Sequence, residues 1–161
     1  MARPPLIAKL VSGGQTGVDR AALDVALRLG IPCGGWCPRG RRAEDGRIPA
    51  RYPLQETPEA RYPQRTEWNV RDSDGTLVLH AGARRGGTAL TARVARRSGK
   101  PVLCVDLDAA PDPAAIVDWV AGRAIRVLNV AGPRESEAPG IGERAGRLLA
   151  QALDSGLPAL L

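Results

Sequence analysis

Residues 6–30 read LIAKLVSGGQTGVDRAALDVALRLG, and this stretch decides the fold class. Its short apolar start predicts a strand over 6–12, and the glycine-bearing turn 12–17 follows. Apolar residues then recur at helical spacing from Val18 until a stop signal at Gly30. A strand that runs through a glycine turn into an amphipathic helix is the repeating unit of a parallel α/β sheet.

The same alternation continues along the chain. Further strands are predicted at 31–36, 76–80, 101–107 and 124–131. Further helices are predicted at 65–71, 86–97, 113–120 and 141–153. We therefore expect one α/β domain over 1–161, an open doubly wound parallel sheet of about five strands with flanking helices. The proline-broken stretch 37–64 is a long irregular loop, and loops of that length are usually functional.

The composition excludes several classes of protein. Hydrophobic residues make up 43% of the chain, too many for a disordered segment, and no run of about 18 apolar residues could span a membrane. The start of the sequence lacks the apolar stretch of a secretory signal. We therefore expect a soluble, cytoplasmic protein. The apolar tail 157–161 either contacts a neighbouring subunit or frays.

Arginine dominates the charge of the chain. The formal net charge is +6, and 21 of the 23 basic residues are arginine. This bias fits an anionic ligand or nucleic acid, and a GC-rich genome is the alternative explanation. Cys33, Cys37 and Cys104 have neither the number nor the spacing of a disulfide framework or a zinc site. We predict no metal, and we expect Cys104 in the core because its surroundings are apolar.

Three turns that follow predicted strands contain glycine: 12–17, 84–88 and 131–136. The carboxyl ends of parallel strands meet at one edge of the sheet, where backbone N–H groups and helix N-termini favour phosphate. In the first turn, the alternative is a plain N-cap at Thr16 with Asp19 as its capping-box partner. Because Asp19 repels phosphate, we expect it to accept a hydrogen bond from a ligand hydroxyl or amine.

The other two turns have candidate anion-binding groups. Arg84-Arg85-Gly86-Gly87-Thr88 either cradles an anion or presents a solvated arginine pair beside a helix start. Arg134 and Ser136 in the third turn are placed to complete the same pocket. The only histidine, His80, ends a buried strand and is either a general base or a structural residue.

Aromatic residues and arginines concentrate around the irregular loop. Four of the five aromatic residues lie in or beside it, namely Trp36, Tyr52, Tyr62 and Trp68. The accompanying arginines are Arg39, Arg41, Arg42, Arg47 and Arg51. Planar rings with arginines suit stacking on a base or a pterin together with neutralisation of phosphate. The alternative is that the aromatic residues anchor the loop and the arginines are solvated.

Several motifs follow one another in a recognisable order. They are SGGQTGVDRAALD at 12–24, GGWCPRGR at 34–41, AEDG at 43–46, YPL at 52–54, ET at 56–57, RTE at 65–67, NV at 69–70, DSDGT at 72–76, GGT at 86–88 and NVAGPRES at 129–136. Together they resemble the molybdenum cofactor carrier family, also described as the circularly permuted YpsA-type SLOG family. The resemblance covers nearly the whole chain, from about 8 to 153.

This resemblance implies a Rossmann-like SLOG fold that binds a nucleotide or a similarly phosphorylated small molecule. Family members are described as carriers that hold the phosphorylated pterin of the molybdenum cofactor, molybdopterin, before its insertion. The family is permuted, because 127–136 resembles the opening strand and turn of related SLOG proteins, whereas 12–19 resembles a later turn of a DNA-processing relative. A homo-oligomer, dimer or tetramer, and molybdoenzymes as recipients are also implied.

The turns and the resemblance together predict a ligand site. Its expected contacts are Gly13, Gly14, Gln15, Thr16, Gly17, Asp19, Arg20, Trp36, Arg39, Arg41, Gly86, Gly87, Thr88, Arg134 and Ser136. The phosphate is expected at the glycine turns and Arg134, with Trp36, Arg39 and Arg41 closing over the ring. We expect molybdenum cofactor or a nucleotide as the bound ligand, and no catalytic cofactor.

Binding without catalysis is the leading expectation. Related phosphoribohydrolases carry a catalytic Glu after their glycine turn, and Thr91 stands at that position here. The alternative is a nucleotide-processing hydrolase, of the phosphoribohydrolase or N-glycosidase type, with Glu44, Asp45 or Glu67 as its acid or base. A third hypothesis, a nucleic-acid-binding protein, rests on the net charge of +6, and no membrane partner is expected.

Overall fold

The computed structural model describes residues 5–154, and a five-stranded parallel sheet lies at their centre. Its strands are β1 (Lys9–Val11), β2 (Cys33–Gly34), β3 (Gly75–His80), β4 (Val102–Asp106) and β5 (Val127–Ala131). The α-helices are α1 (Val18–Leu29), α2 (Tyr62–Arg71), α3 (Gly86–Arg97), α4 (Pro113–Gly122) and α5 (Ile141–Leu153). The predicted α/β class is thereby confirmed.

The strand order identifies the topology. Across the sheet the order is β2-β1-β5-β3-β4, and every neighbouring pair is parallel. Counted from β5 as the first strand, the order becomes 3-2-1-4-5, which is that of a doubly wound Rossmann sheet. The order reverses between β5 and β3. Ligands of such sheets bind beyond the carboxyl ends of the strands at that point.

Helices pack on the sheet in two groups. α1 packs against α5, which also contacts α4, while α2 packs against α3, and α3 contacts β3 and β4. The inner strand β3 is buried along its whole length, and Leu77, Val78 and Leu79 are fully enclosed. Burying an aliphatic side chain of this size contributes about 1.5–3 kcal/mol. The sheet therefore supplies a rigid base for the turns at its carboxyl edge.

Helix bounds follow local signals closely. α1, α3 and α5 have the predicted bounds, and α1 ends at Gly30, which adopts the left-handed conformation that glycine favours. α2 begins earlier than predicted, at Tyr62, because Pro63 fits the first turn of a helix. α4 extends to Gly122, slightly beyond its predicted end.

The predicted second strand, 31–36, is divided in two. Only Cys33–Gly34 joins the sheet, and Trp36–Cys37 pairs instead with Gln55–Glu56 of the loop. Gly35 lies between them with φ +127°, and a Cβ there would lie 2.3 Å from the Ser12 carbonyl oxygen. Only glycine fits this close approach, and the chain leaves the sheet there.

The loop 37–64 is more ordered than predicted, because Arg41 holds it together. Besides the pairing just described, Arg42–Ala43 and Gly46–Arg47 form a small antiparallel hairpin. The Arg41 side chain is buried, and its guanidinium donates to four backbone carbonyls at distances of 2.7–3.3 Å. Their residues are Ile48, Pro49, Tyr52 and Leu54.

Several further features follow from the described part of the chain. No helix within 5–154 is long and apolar enough to cross a membrane. The same residues contain no group of three or more His, Cys, Asp or Glu placed to hold a metal ion. All three cysteines are free, and Cys104, expected in the core, is half-buried, with its sulfur 3.9 Å from an Arg96 nitrogen. The tail 157–161 lies outside the described residues.

Candidate functional site

A cleft of about 90 Å³ lies at the carboxyl edge of the sheet, where the strand order reverses. The end of β5 forms its floor with Asn129, Val130 and Ala131. All three glycine turns reach it, through Gly13 and Gln15, Gly87 and Thr88, and Gly132 and Arg134. The structure therefore brings the three turns together, as expected from the geometry of a parallel sheet.

One wall of the cleft comes from α2, on which sequence reasoning selected Tyr62, Glu67 and Trp68 but not Arg65. Four of its side chains line the cleft, namely Tyr62, Arg65, Thr66 and Asn69. Their spacing of three to four residues puts them on one face of the helix. That spacing was the available signal, but polar side chains in the same pattern also describe an ordinary solvated helix face.

Arg65 is the principal cation of the cleft, and it is poorly paired. Its Nη1 donates to Asp19 Oδ2 over a long 3.4 Å, and its buried Nε has no hydrogen-bond partner among the described residues. The guanidinium lies 5.3 Å from the centre of the Tyr62 ring. Gly13 makes room for it, because a Cβ there would lie 2.0 Å from Arg65 Nη1. A bulkier residue at Gly13 would displace the guanidinium.

Asp19 lies beside Arg65 and is 5% exposed. Its Oδ2 also accepts from the Gln15 backbone N–H at 3.2 Å. Burial raises the pKa of Asp19 above its ordinary value, and Arg65 and the Gln15 N–H oppose that shift. The capping-box alternative for this turn is wrong, because the N-cap of α1 is Gly17 and no side chain caps the helix.

The second turn contributes its glycine and hydroxyl residues rather than its arginines. α3 begins here, so its N-terminal dipole points toward the cleft, where Gly87 and Thr88 line the wall. Arg84 and Arg85 are exposed and do not line the cleft. Thr91 also lines the wall, and its hydroxyl donates to the Gly87 carbonyl at 2.9 Å.

A hydrogen-bonded cluster of Thr16, Ser136 and Glu44 lies outside the cleft. Both hydroxyls donate to the Glu44 carboxylate, and the Ser136 N–H donates to it at 3.3 Å. These hydrogen bonds lower the pKa of Glu44. Gln15 Oε1 accepts from the Glu44 N–H at 2.9 Å, so the hairpin 42–47 is fastened to the first and third turns.

The remaining predicted residues of this region are structural neighbours of the cleft. Arg20 pairs with Asp45 at 2.7 Å and donates from Nε to the Gly14 carbonyl at 3.0 Å. Gly17 has φ +79°, and a Cβ there would lie 2.4 Å from the Pro133 carbonyl oxygen, so the first and third turns are in close contact. Gly14, Gly17 and Gly86 do not line the cleft.

The three candidate catalytic acids do not meet in the cleft. Glu44 and Asp45 are engaged as just described, and Glu67 is exposed on α2. The carboxylates that line the cleft are those of Asp19 and Glu137. Glu137 pairs with Arg134 Nε at 2.5 Å and is partly exposed at the rim.

Trp36, Arg39 and Arg41 also lie outside the cleft lining. The Trp36 ring packs edge-on against Trp68 at 4.7 Å between centroids, and its indole N–H donates to Asp72 at 2.8 Å. Arg39 is exposed, and Arg41 is buried by its four carbonyl contacts. The arrangement does not bring these three residues over a ligand in the cleft.

His80 is engaged with its neighbouring loop. Its Nδ1 lies 2.7 Å from the Gly82 carbonyl oxygen, and the Gly82 N–H donates to Asp106 at 3.1 Å. His80 is 7% exposed and does not line the cleft. This placement agrees with the structural alternative for His80.

The chain is similar to known proteins over most of its length. Residues 10–153 match the circularly permutated YpsA SLOG family. A crystal structure named "Putative molybdenum carrier protein", from Syntrophus aciditrophicus, is 48% identical in sequence and has a TM-score of 0.90. The match covers 94% of this chain and 98% of that chain. No curated protein matches the chain. The matched residues 10–153 span the three glycine turns of the cleft.

Proposed function

This chain belongs to the circularly permutated YpsA SLOG family, and from that premise we propose that its cleft binds the phosphate of a phosphorylated small molecule. Molybdopterin is the first ligand to test, because the similar crystal structure is named a molybdenum carrier protein. Nucleotides are the second, because they have the same phosphate chemistry. In this proposal the cytoplasmic protein holds its ligand without catalysis and passes it to a molybdoenzyme.

One observation carries the proposal: most of the hydrogen-bonding capacity of Arg65 is unused. A guanidinium has five N–H donors, yet the only acceptor near this one is Asp19 at 3.4 Å, and the buried Nε has none among the described residues. A buried donor without a partner costs about 1–3 kcal/mol. An anion in the cleft would satisfy Arg65, and the N-terminus of α3 would stabilise the same charge.

The size of the cleft favours a phosphate over a whole pterin nucleotide. Pockets that enclose drug-sized ligands measure roughly 300–1,000 Å³, whereas this one measures about 90 Å³. A tetrahedral anion fits such a volume, and the rest of the ligand would extend over the open rim. Tyr62 and Arg134 lie on the lining of the cleft and are the nearest candidates to contact a ring.

Gly87→Asp tests the proposal with little disturbance to the fold. A Cβ on Gly87 meets no atom within 4 Å, so the new carboxylate is accommodated at the cleft wall. Wild type should bind molybdopterin or a nucleoside monophosphate in calorimetric titrations and gain thermal stability from it by mass action. The variant should bind at least about tenfold more weakly, because like charges repel.

The matched control for that experiment is Gly122→Asp. A Cβ on Gly122 likewise meets no atom within 4 Å, and this residue ends α4, outside the cleft. We expect the control to bind like wild type. The proposal is contradicted if no phosphorylated pterin or nucleotide binds, or if Gly87→Asp binds as tightly as the control.

A role without catalysis is supported by the positions of the candidate acids. Glu44 and Asp45 are held by Thr16, Ser136 and Arg20, and each would have to leave its partner to reach a ligand in the cleft. We expect no release of base or phosphate when nucleoside monophosphates are incubated with the protein. Turnover that is lost in Glu44→Gln or Asp45→Asn would support the hydrolase alternative instead.

A surface for polyanions is the second candidate function, and the distribution of charge favours it. Residues 75–105 contain six basic residues and no Asp or Glu, so this segment accounts for the whole net charge of +6. Its five arginines, Arg84, Arg85, Arg93, Arg96 and Arg97, are exposed, and none forms an ion pair with another described residue. Such a face attracts phosphate backbones.

Salt dependence distinguishes the second candidate from the first. Binding of a fluorescent 20-base-pair DNA duplex should weaken steeply as salt rises, and Arg93→Glu/Arg96→Glu should abolish it. The control Arg123→Glu/Arg126→Glu changes the net charge equally at two other exposed positions. Equal loss in both double variants would mean that net charge alone, and no defined face, attracts the DNA.

A further inference from the structure

Building on the proposed function, we infer that Asp19 makes the cleft select a phosphate that can share a proton with it. Inorganic phosphate and phosphomonoesters belong to this class. Sulfate and phosphodiesters hold no proton near neutral pH, and the cleft rejects them. Asp19 is thus a specificity-determining residue, while Arg65 supplies the attraction.

The geometry requires any anion on Arg65 to approach Asp19. The two side chains form the one ion pair of the described residues whose members both line the cleft and are both largely buried, with 13% and 7% of their side chains exposed. Arg65 Nη1 lies 3.4 Å from Asp19 Oδ2. Both side chains line a cleft of only about 90 Å³, so an anion held there by the guanidinium lies close to the Asp19 carboxylate.

Two unprotonated anions repel strongly in such a place, because the local dielectric constant is low. A single proton between them removes the repulsion and replaces it with a charge-assisted hydrogen bond. Phosphomonoesters have a second pKa of about 6, so they can retain that proton at little cost. Burial raises the pKa of the Asp19 carboxyl, which also favours a proton at this place.

The groups facing Asp19 determine how the selection responds to pH. Besides Arg65 from α2, they are the Gln15 N–H and the Ser12 hydroxyl of the first turn and the Arg20 guanidinium of α1. None of these four groups is a carboxyl or an imidazole. The proton shared with the phosphate is therefore the titrating element of this part of the cleft.

The remaining acid of the cleft does not have the same role. Glu137 is paired with Arg134, and 35% of its side chain is exposed at the rim. Water screens a carboxylate in that position, and its arginine neutralises it. The selection is consequently assigned to Asp19 alone.

Calorimetric titration of the full chain with four small anions tests the inference. At pH 7.5, methyl phosphate and inorganic phosphate should bind at least about tenfold more tightly than dimethyl phosphate and sulfate. Asp19→Asn should bind sulfate at least about tenfold more tightly than wild type, because the repelling charge is gone. Asp118→Asn, an exposed position on α4, makes the same change in net charge and should retain the wild-type selectivity.

A pH series on wild type provides a test that needs no variant. Sulfate affinity should rise as pH is lowered from 7.5, because burial raises the pKa of Asp19 and its protonation removes the repulsion. Equal affinity for all four anions, or sulfate binding that does not change with pH, overturns the inference and leaves the proposed function intact. If wild type binds none of the four anions at either pH, the proposed phosphate site itself is contradicted.

Discussion

Arg41 in the loop 37–64 and Arg65 in the cleft are both largely buried, yet their surroundings are opposite in kind. Arg41 donates to four backbone carbonyls, so its charge is spread over acceptors that the fold itself supplies. Arg65 has one contact of 3.4 Å and a buried Nε without a described partner. The fold thus supplies acceptors for four of the five N–H donors of the first arginine, whereas the second has one long hydrogen bond among the described residues.

This difference separates a structural arginine from a candidate binding arginine. A guanidinium that donates to four carbonyls stabilises the loop and has little left to offer a ligand, whereas one with free donors in a cleft gains stability when an anion arrives. Sequence reasoning assigned Arg41 to the ligand and did not select Arg65. We propose the reverse assignment, and the following changes test it.

The largest expected effect is on stability, in Arg41→Ala. Removing the guanidinium leaves four carbonyls without their donor, and we expect a loss of at least about 3 kcal/mol in the free energy of unfolding. Chemical denaturation measures it. Arg39→Ala, at an exposed neighbour, should change stability by less than about 0.5 kcal/mol. A loss under about 1 kcal/mol in Arg41→Ala would show that the loop does not depend on this residue.

The next effect is on binding, in the double variant Arg65→Met/Asp19→Asn. Removing both charges avoids a buried unpaired carboxylate, so stability should be unchanged or higher. Affinity for methyl phosphate should fall at least about tenfold, equivalent to about 1.4 kcal/mol, in calorimetric titration. Wild-type affinity in this variant would mean that the phosphate site lies elsewhere. Asp118→Asn removes the same charge at an exposed position and is the control for Asp19→Asn.

A smaller effect concerns the pH dependence of stability. The native-state pKa of Asp19 is raised above its unfolded value near 3.8, so the folded protein holds the proton to higher pH. Stability should therefore be favoured below that unfolded value and should decline as pH rises through the native pKa. Asp19→Asn should lack this decline in urea titrations. Parallel curves for the two proteins would contradict the shift.

The smallest effect concerns the exposed carboxylate of Asp72, which caps the C-terminal end of α2. Arg71 lowers the pKa of Asp72 to about 2, and the Trp36 indole N–H assists. Asp72→Asn should cost less than about 1 kcal/mol at neutral pH, because the ion pair is exposed. That difference should vanish as pH falls from about 4 through about 2. Tryptophan emission during denaturation measures this difference in stability, and a difference that is as large at pH 2 as at neutral pH would contradict the account.

The fold could be predicted almost entirely from the sequence, because its signals are local. Amphipathic spacing and the stop signal at Gly30 predict α1, and the apolar run Leu77–Leu79 predicts the centre of β3. The second strand was predicted too long, because the contact between Gly35 and Ser12 that ends it is not local. The regular structure of the loop 37–64 was missed for the same reason, because only the folded chain brings the four carbonyls to the Arg41 guanidinium.

The candidate site could be predicted in part. The three glycine turns meet because parallel strands end at one edge, which sequence reasoning can anticipate. Of the expected contacts, Gly13, Gln15, Asp19, Gly87, Thr88 and Arg134 line the cleft. Arg65, Thr66 and Asn69 of the α2 wall were missed, because the sequence does not say which face of a polar helix turns inward. Among 21 arginines, composition cannot distinguish one paired with carbonyls from one with free donors.

The comparison of the two arginines is tested most directly by the ¹H–¹⁵N signals of their Nε groups, which are accessible in a protein of 17.0 kDa. Arg65→Lys and Arg41→Lys assign the two signals by their disappearance. On titration with methyl phosphate, the Arg65 Nε–H signal should shift as it gains an acceptor, whereas the Arg41 signal should stay in place. Saturating binding that leaves the Arg65 signal unmoved would contradict the account.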